Sequence, residues 1–164
     1  MIRSVTILLA IAAAALTTAA APIERKTVSL ELANDLASAA IMSCRSIGRT
    51  AVVAIVDRGG NLVALQRGDD VGPHNTRAAE RKAFTALSTK TRTTVLAERA
   101  SSDPTSRNLT TVSDLLLLGG GVPLLVDGDA LGGIGVAGSG GAANDDQCAT
   151  AAIKSVLPAA VVQP

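Results

Sequence analysis

Residues 119–138, with the sequence GGGVPLLVDGDALGGIGVAG, predict a β-hairpin. Two apolar runs of strand length, 122–126 and 131–136, flank the sequence DGD at 127–129. Gly and Asp accept the backbone conformations of tight turns, and a tight turn joins strands that run antiparallel. The sequence therefore predicts an antiparallel pair of strands here.

A second hairpin is predicted upstream of the first. The Val- and Ile-rich run AVVAIV at 51–56 and the run LVALQ at 62–66 have the length and composition of strands. They are separated by DRGGN at 57–61, which supplies turn residues. Together the two hairpins predict a sheet that is mainly antiparallel.

Helices are predicted before, between and after the hairpins. Apolar residues recur at helical spacing over 29–48, and a second helix is predicted from residue 75 or 76 through residue 87. A short additional helix is predicted within 89–99, and a last helix over 144–156 with Asn144 as its N-cap. Helices packed on a mainly antiparallel sheet make an α+β domain.

The N-terminal residues have the organisation of an export signal. Arg3 precedes an apolar run over 5–16, and small residues with a cleavage-like pattern follow at 17–21. The apolar run is about a dozen residues long, whereas a membrane-spanning helix needs about 20. We therefore expect a signal peptide over 1–20, a single mature domain over 21–164, and a periplasmic or secreted location.

The composition excludes several functions. The chain of 164 residues carries 15 Lys and Arg against 14 Asp and Glu, so it has no overall attraction for nucleic acid. One Phe, without Tyr or Trp, cannot build a base-stacking platform, and we expect no nucleic-acid partner. One His and two Cys cannot supply the four Cys or His ligands of a structural zinc site.

Residues 133–138, GIGVAG, match the pattern G-x-G-x-x-G but not its usual setting. In dinucleotide-binding proteins the pattern follows a strand and opens a helix. Here the first two glycines lie inside a predicted strand, and the next helix carries Asp145 and Asp146, which would repel a pyrophosphate. The glycines instead indicate a bulge or a close approach of two backbones.

Cys44 and Cys148 lie in predicted helices at opposite ends of the domain. An oxidising compartment permits a disulfide between them, which would require the two helices to pack together. Two buried free thiols are the alternative, because free Cys packs well as a small hydrophobe. The sequence alone leaves both alternatives open.

His74 precedes a helix that is rich in cations, namely Arg77, Arg81 and Lys82. Arg77 and Arg81 share one helix face because they are four residues apart. Imidazole is a common metal ligand and exchanges protons near neutral pH. The group could ligate a metal-containing anionic cofactor while the cations meet its carboxylates. The alternative is a surface His beside a solvated basic face.

Several of these segments together resemble the GlcG/HbpS family. The resemblance covers residues 28–157, nearly the whole mature chain. It rests on the hairpin at 119–138, DDQCA at 145–149, VVAIVD at 52–57, GNL at 60–62 and RKAFTA at 81–86. The combined pattern is specific, although no single segment would be.

The resemblance implies a profilin-like α+β domain with a mainly antiparallel five-stranded sheet between helices, and assembly as a homo-oligomer. It also implies an exported protein with haem as cofactor that promotes haem degradation or haem sensing, the latter with a membrane sensor protein as partner. The resemblance carries no haem ligand over to a position of this chain. From the residues themselves, we expect His74 to ligate the iron and Arg77, Arg81 and Lys82 to bind the propionates. With Phe84 as the one aromatic residue, aliphatic side chains would line most of the haem pocket.

Two other functions fit the same residues. One is a small periplasmic enzyme acting on an anionic, hydroxy-acid-like metabolite, with the cations binding its carboxylate and His74 as general base. The other is a non-catalytic accessory subunit of a sensor. Family membership alone does not separate them, because one fold hosts many functions.

Overall fold

The computed structural model describes residues 21–162, and the expected signal peptide over 1–20 lies outside the described residues. Four strands form one sheet in the described part of the chain. They are β1 (Val52–Asp57), β2 (Leu62–Arg67), β3 (Gly121–Val126) and β4 (Asp129–Ala137). Their order across the sheet is β2-β1-β4-β3, and all neighbours are antiparallel.

Both predicted hairpins are confirmed. β1 pairs with β2 from Val52 opposite Arg67 to Val56 opposite Leu62, and β3 pairs with β4 across the turn at 127–128. The hairpins join where β1 lies beside β4, so β2 and β3 form the two edges of the sheet. The antiparallel sheet with helices confirms the predicted α+β class.

The expected fifth strand is not found among residues 21–162, where the sheet has four strands. At the free edge of β3, Ala160 makes only an isolated antiparallel bridge to Val126, and the N–H of Val161 donates to the carbonyl oxygen of Leu125 (2.9 Å). The chain turns immediately before this point, where the N–H of Ala160 donates to the carbonyl oxygen of Leu157 (2.8 Å). Pairing is therefore limited to a single position. The profilin-like assignment stays a prediction.

Helices cover both faces of the sheet. In chain order they are α1 (Leu30–Ser46), α2 (His74–Thr89), α3 (Thr93–Ser102) and α4 (Ala142–Val156), with a 3-10 helix over Arg107–Thr111. The predicted short helix after α2 is confirmed as α3. Within residues 21–162, no helix is both long enough and apolar enough to cross a membrane.

The prediction that Asn144 caps the last helix is wrong. α4 begins at Ala142, and Gly141 occupies the cap position with a φ of 144°. Glycine adopts this backbone conformation without a Cβ penalty, so the chain enters the helix without a capping side chain. The side-chain amide of Asn144 lies within the first turn and donates from Nδ2 to the carbonyl oxygen of Ser139 (3.0 Å).

Side chains alternate between the two faces of the sheet, as the geometry of a strand requires. Val53 and Ile55 of β1 face a core built with α1 and α4, whereas Val52, Ala54 and Val56 face α2. One layer of the domain therefore contains α1 and α4, and the opposite layer contains α2.

The backbone of α2 packs directly against the backbone of β4. A Cβ atom at Gly135 would lie 2.0 Å from the carbonyl oxygen of Ala79, and one at Gly133 would lie 2.4 Å from that of Ala83. No side chain fits at such distances, so β4 needs glycine at both positions. This result confirms the close backbone approach that was inferred from the glycines of residues 133–138.

Cys44 and Cys148 form a disulfide and are not free thiols. Their Cα atoms are 5.4 Å apart, and both residues are fully buried. The bond joins α1 to α4 across 104 residues of sequence. A cross-link over such a long loop stabilises the folded domain chiefly by restricting the unfolded chain.

Replacing Gly135 with Ala should destabilise the domain, because the new methyl group would meet the backbone of Ala79 and push α2 away from the sheet. Overpacking a core costs about 1–3 kcal/mol and more where backbone must move, so we expect a loss of about 3 kcal/mol or more in the free energy of unfolding. Chemical denaturation measures this loss. Gly48→Ala is the control, because its φ is +70° and nothing lies within 4 Å of the added Cβ. It should cost about 1–2 kcal/mol. Equal costs for the two variants would contradict the packing.

Removing the disulfide should lower the free energy of unfolding by about 2–5 kcal/mol. Denaturation of the double variant Cys44→Ala with Cys148→Ala tests this. The unmodified protein in a reducing agent should have nearly the same free energy of unfolding as the double variant. A midpoint of unfolding that is the same with and without the reducing agent, at full reduction, would contradict a stabilising bridge.

Candidate functional site

A cleft of about 910 Å³ runs along the side of α2 that faces away from the sheet. Its volume lies in the range of small-molecule binding sites, which is about 300–1,000 Å³. We call it the α2 cleft. It is lined by Gly60, His74, Arg77, Ala78, Glu80, Arg81, Phe84, Ser113, Asp114, Leu116 and Leu118.

One face of α2 forms the floor of the α2 cleft. His74, Arg77, Ala78, Arg81 and Phe84 follow one another at spacings of three, one, three and three residues, which keeps them on the same side of a helix with 3.6 residues per turn. The structure thus brings His74, Arg77 and Arg81 together in one cleft. Two of the predicted cations lie beside the predicted imidazole.

The N-terminal end of α2 carries positive charge at this cleft. Its first turn contains no acidic residue, and Pro73 at the cap position makes no side-chain cap hydrogen bond. His74 is exposed and its ring lies near Gly72, where an added Cβ would be 3.2 Å from the imidazole Cε1 atom. Because the positive end of the helix dipole adds to the charge of Arg77, this end of the cleft favours an anionic group.

The wall opposite α2 is formed by residues 113–118, which we call the strap. The strap has no helix or strand of its own, and side chains of α2 and α3 hold it. Arg81 donates from Nη2 to the carbonyl oxygens of Ser113 and Leu115, both at 2.7 Å. The N–H of Leu116 donates to Oγ1 of Thr85 (2.8 Å). Arg81 is therefore engaged with the strap as well as exposed to the cleft.

Two acidic residues of the α2 cleft were missed by the sequence analysis. Glu80 lies three residues after Arg77 on α2, and this spacing could have placed it near the cleft. Asp114 lies in the strap, where the chain has no periodic pattern that would indicate its direction. Among the described residues, neither carboxylate forms an ion pair.

The expectation that Lys82 faces a ligand is wrong. Lys82 is 1% exposed, and its Nζ atom donates to Oδ2 of Asp145 (2.8 Å) and to the carbonyl oxygen of Val136 (2.9 Å). Each residue of a helix is rotated by about 100° from the one before, so the residue after Arg81 points toward the sheet. Lys82 is a structural residue between α2, β4 and α4.

Asp145 completes a buried network around Lys82. Its Oδ1 atom accepts from the N–H (2.9 Å) and the hydroxyl (2.6 Å) of Ser139, and the whole Asp145 residue is only 4% exposed. Asp146 pairs with Arg92 and accepts from the hydroxyl of Thr94 (3.1 Å). The two aspartates therefore fix the start of α4 and the glycine-rich loop before it, and they contribute nothing to the α2 cleft.

A smaller cavity of about 310 Å³ adjoins the α2 cleft and shares Gly60 and Phe84 with it. A Cβ atom at Gly60 would lie 2.8 Å from the Phe84 ring, so the β1–β2 turn packs directly on this aromatic side chain. Asp57 holds the turn. Although its partial burial opposes ionisation, hydrogen bonds from Asn61 and from the N–H of Gly59 lower the pKa of the Asp57 carboxyl.

No group of three or more His, Cys, Asp and Glu residues that could hold a metal ion is found within residues 21–162. His74, the one His of the sequence, therefore belongs to no such cluster of three or more metal-ligating residues in the described part of the chain. A single imidazole suits a metal that brings its other ligands with it, as an iron porphyrin does.

Lys82→Met should destabilise the protein by about 3–5 kcal/mol, because it leaves the buried carboxylate of Asp145 without its cation. Denaturation at neutral pH measures the loss, and adding Asp145→Asn should recover part of it by removing the unpaired charge. Arg77→Met on the exposed side of the same helix is the control and should change stability by less than about 0.5 kcal/mol. Similar values for the Lys82 and Arg77 variants would contradict a buried ion pair.

Comparisons with known proteins agree with this fold. A family model described as "Haem degrading protein HbpS-like" matches residues 28–154. The crystal structure of a double mutant of Streptomyces reticuli HbpS is 36% identical, with a TM-score of 0.76, and the match covers 84% of this chain and 98% of that one. GlcG of Escherichia coli K12 is 37% identical over 84 residues, which are 51% of this chain and 61% of GlcG.

A relative that was crystallised with a ligand shares the fold as well. The crystal structure of a PduOC–haem complex is 27% identical, with a TM-score of 0.71, and the match covers 84% of this chain and 97% of that one. Because the family model spans most of the described domain and HbpS aligns over nearly its whole length, this chain belongs to the GlcG/HbpS family of HbpS-like proteins.

Proposed function

We propose that this protein is an exported haem-binding protein and that the haem lies in the α2 cleft. The observation that carries the proposal is the meeting of an exposed imidazole, arginine side chains and apolar side chains in one cleft of suitable size. Membership of the HbpS-like family and the fold shared with a protein crystallised with haem support it.

The residues of the α2 cleft fit haem chemically. His74 offers a ring nitrogen for the iron, as the proximal His does in many haem proteins. Ala78, Phe84, Leu116 and Leu118 offer apolar surface for the porphyrin. When bound, haem would supply an iron centre for ligand binding and electron transfer.

Arg77 is the better placed cation for a propionate. It is exposed on the cleft side of α2, and it forms no ion pair among the described residues. A guanidinium can meet a carboxylate through two parallel hydrogen bonds, and the nearby helix N-terminus adds positive potential. The carboxylates of Glu80 and Asp114 reduce this potential. Because Arg81 is already engaged with the strap, we assign the propionate to Arg77.

The wider physiological roles belong to the same proposal. Export to the periplasm or beyond depends on the signal peptide expected at 1–20. Promotion of haem degradation, haem sensing through a membrane sensor protein and assembly as a homo-oligomer are the roles that the family resemblance suggests. The stabilising Cys44–Cys148 disulfide supports an oxidising compartment, where such bonds persist.

One observation favours a second function. The α2 cleft contains the carboxylates of Glu80 and Asp114 beside His74 and Arg77, and such groups serve in acid–base catalysis. A small anionic metabolite, such as a hydroxy acid, could bind Arg77 while His74 acts as general base. Turnover by iron-free protein that is lost in His74→Ala would support this alternative over haem binding.

Titration of the purified protein with haem, followed at the Soret band, tests the main proposal. We expect a saturable spectral shift with one haem per chain, and His74→Ala should remove the shift or weaken binding by at least about tenfold, because a coordinate bond to iron is lost. Thr76→Ala is the control, since Thr76 lies in the same helical turn but does not line the cleft.

The other outcomes are equally informative. A shift that His74→Ala leaves unchanged would keep haem as the ligand but contradict His74 as the iron ligand. The absence of a saturable shift in protein whose circular dichroism shows the native fold would overturn the haem proposal and favour the anionic metabolite.

A further inference from the structure

The strap at residues 113–118 depends on α2 for its position. Its backbone makes local turns. The N–H of Leu115 donates to the carbonyl oxygen of Val112 (3.1 Å), and the N–H of Leu118 donates to that of Leu116 (3.0 Å). These bonds fix its local shape but do not attach it to the domain. At its far end, Oγ1 of Thr93 donates to the carbonyl oxygen of Leu118 (2.8 Å).

The other hydrogen bonds that hold the strap come from two residues of α2, which are one helical turn apart. Arg81 donates to the carbonyl oxygens of Ser113 and Leu115, and Thr85 accepts from the N–H of Leu116. The hydroxyl of Thr85 donates in turn to the carbonyl oxygen of Arg81 (2.7 Å), so the two residues act as one hydrogen-bonded unit. This unit sets the distance between the apolar strap residues and α2.

A ligand carboxylate that bound the Nη2 atom of Arg81 would compete with the strap. Both strap carbonyls use the same Nη2 atom of Arg81, and hydrogen bonds from a charged donor are stronger than those between neutral groups. Drawing that atom toward a ligand would leave the carbonyls of Ser113 and Leu115 without this donor. Arg77 lines the same cleft without any hydrogen bond to the strap in the described structure, so it can take a ligand's charge at no such cost.

We propose that Arg81, together with Thr85, is a positioning residue, which sets the width and apolar lining of the α2 cleft by holding the strap, while Arg77 recognises the ligand's charge. The inference rests on the proposed function for the identity of the ligand but not for the role of the strap. It assigns to Arg81 a role different from the propionate binding expected from the sequence.

The experiment compares Arg81→Gln, Thr85→Val and Arg77→Gln with the unmodified protein. Hydrogen–deuterium exchange of ligand-free protein reports on the amides of residues 113–118. Arg81→Gln and Thr85→Val should each speed exchange there by about tenfold or more, because the lost hydrogen bonds release the strap. Arg77→Gln should leave exchange unchanged. Thr85→Val alters no charge, so a shared effect identifies the hydrogen bonds as the cause.

The binding of two probes distinguishes a residue that pairs with the ligand's carboxylates from a residue that positions the strap. Haem and its dimethyl ester have the same ring, but the ester lacks both carboxylates. Arg77→Gln should weaken the binding of haem by about tenfold and leave the ester unaffected. Arg81→Gln and Thr85→Val should weaken both probes by the same factor, because they disturb the apolar wall that both ligands contact.

Two results would overturn the proposal. One is an Arg81→Gln variant whose strap exchanges as in the unmodified protein. The other is an Arg81→Gln variant that loses affinity for haem but not for the ester, which would make Arg81 a charge partner. If the unmodified protein binds neither probe, the haem proposal fails, and the exchange of ligand-free protein alone decides whether Arg81 positions the strap.

Discussion

Backbone contact between α2 and the sheet is the constraint on which the rest of the structure depends. Because Gly133 and Gly135 carry no side chains, the backbone of α2 can approach β4 closely enough to exclude a methyl group. The approach fixes the rotation of the helix, with Ala79 and Ala83 turned toward the strands. The residues on the other side of α2 are then directed outward, and these are the residues that form the floor of the α2 cleft.

The buried ion pair of Lys82 and Asp145 also holds α2 against the sheet, at the C-terminal end of β4. It links α2 to the first turn of α4 and, through Ser139, to the glycine-rich loop between β4 and α4. On the opposite face of the sheet, the Cys44–Cys148 disulfide joins α1 to α4. One face of the sheet is therefore covered by the disulfide-linked helices α1 and α4, and the other face is covered by α2, with the strap on the outer side of α2.

The sequence predicted the parts of the fold that depend on local pattern. Both hairpins and the four α-helices follow from apolar periodicity and turn residues, and the glycines at 133 and 135 indicated close packing. The features that the sequence did not predict depend on tertiary contacts. Lys82 follows Arg81 by one residue, and only the packing of α2 shows that one is buried and the other lines the cleft. The strap has no periodicity, so its place opposite α2 could not be inferred. The fifth strand came from the resemblance alone, and the sheet of the described residues has four strands.

The central claim is that the face of α2 turned away from the sheet binds the ligand, and paramagnetic broadening tests it most directly. Iron(III) haem broadens the NMR signals of amides close to it, so the backbone spectrum of the haem-loaded protein maps where the iron lies. The account predicts broadening at residues 74–84 and 113–118, with the amides around Cys44 and Cys148 unaffected. Broadening centred on the α1–α4 face, with sharp signals along α2, would contradict it.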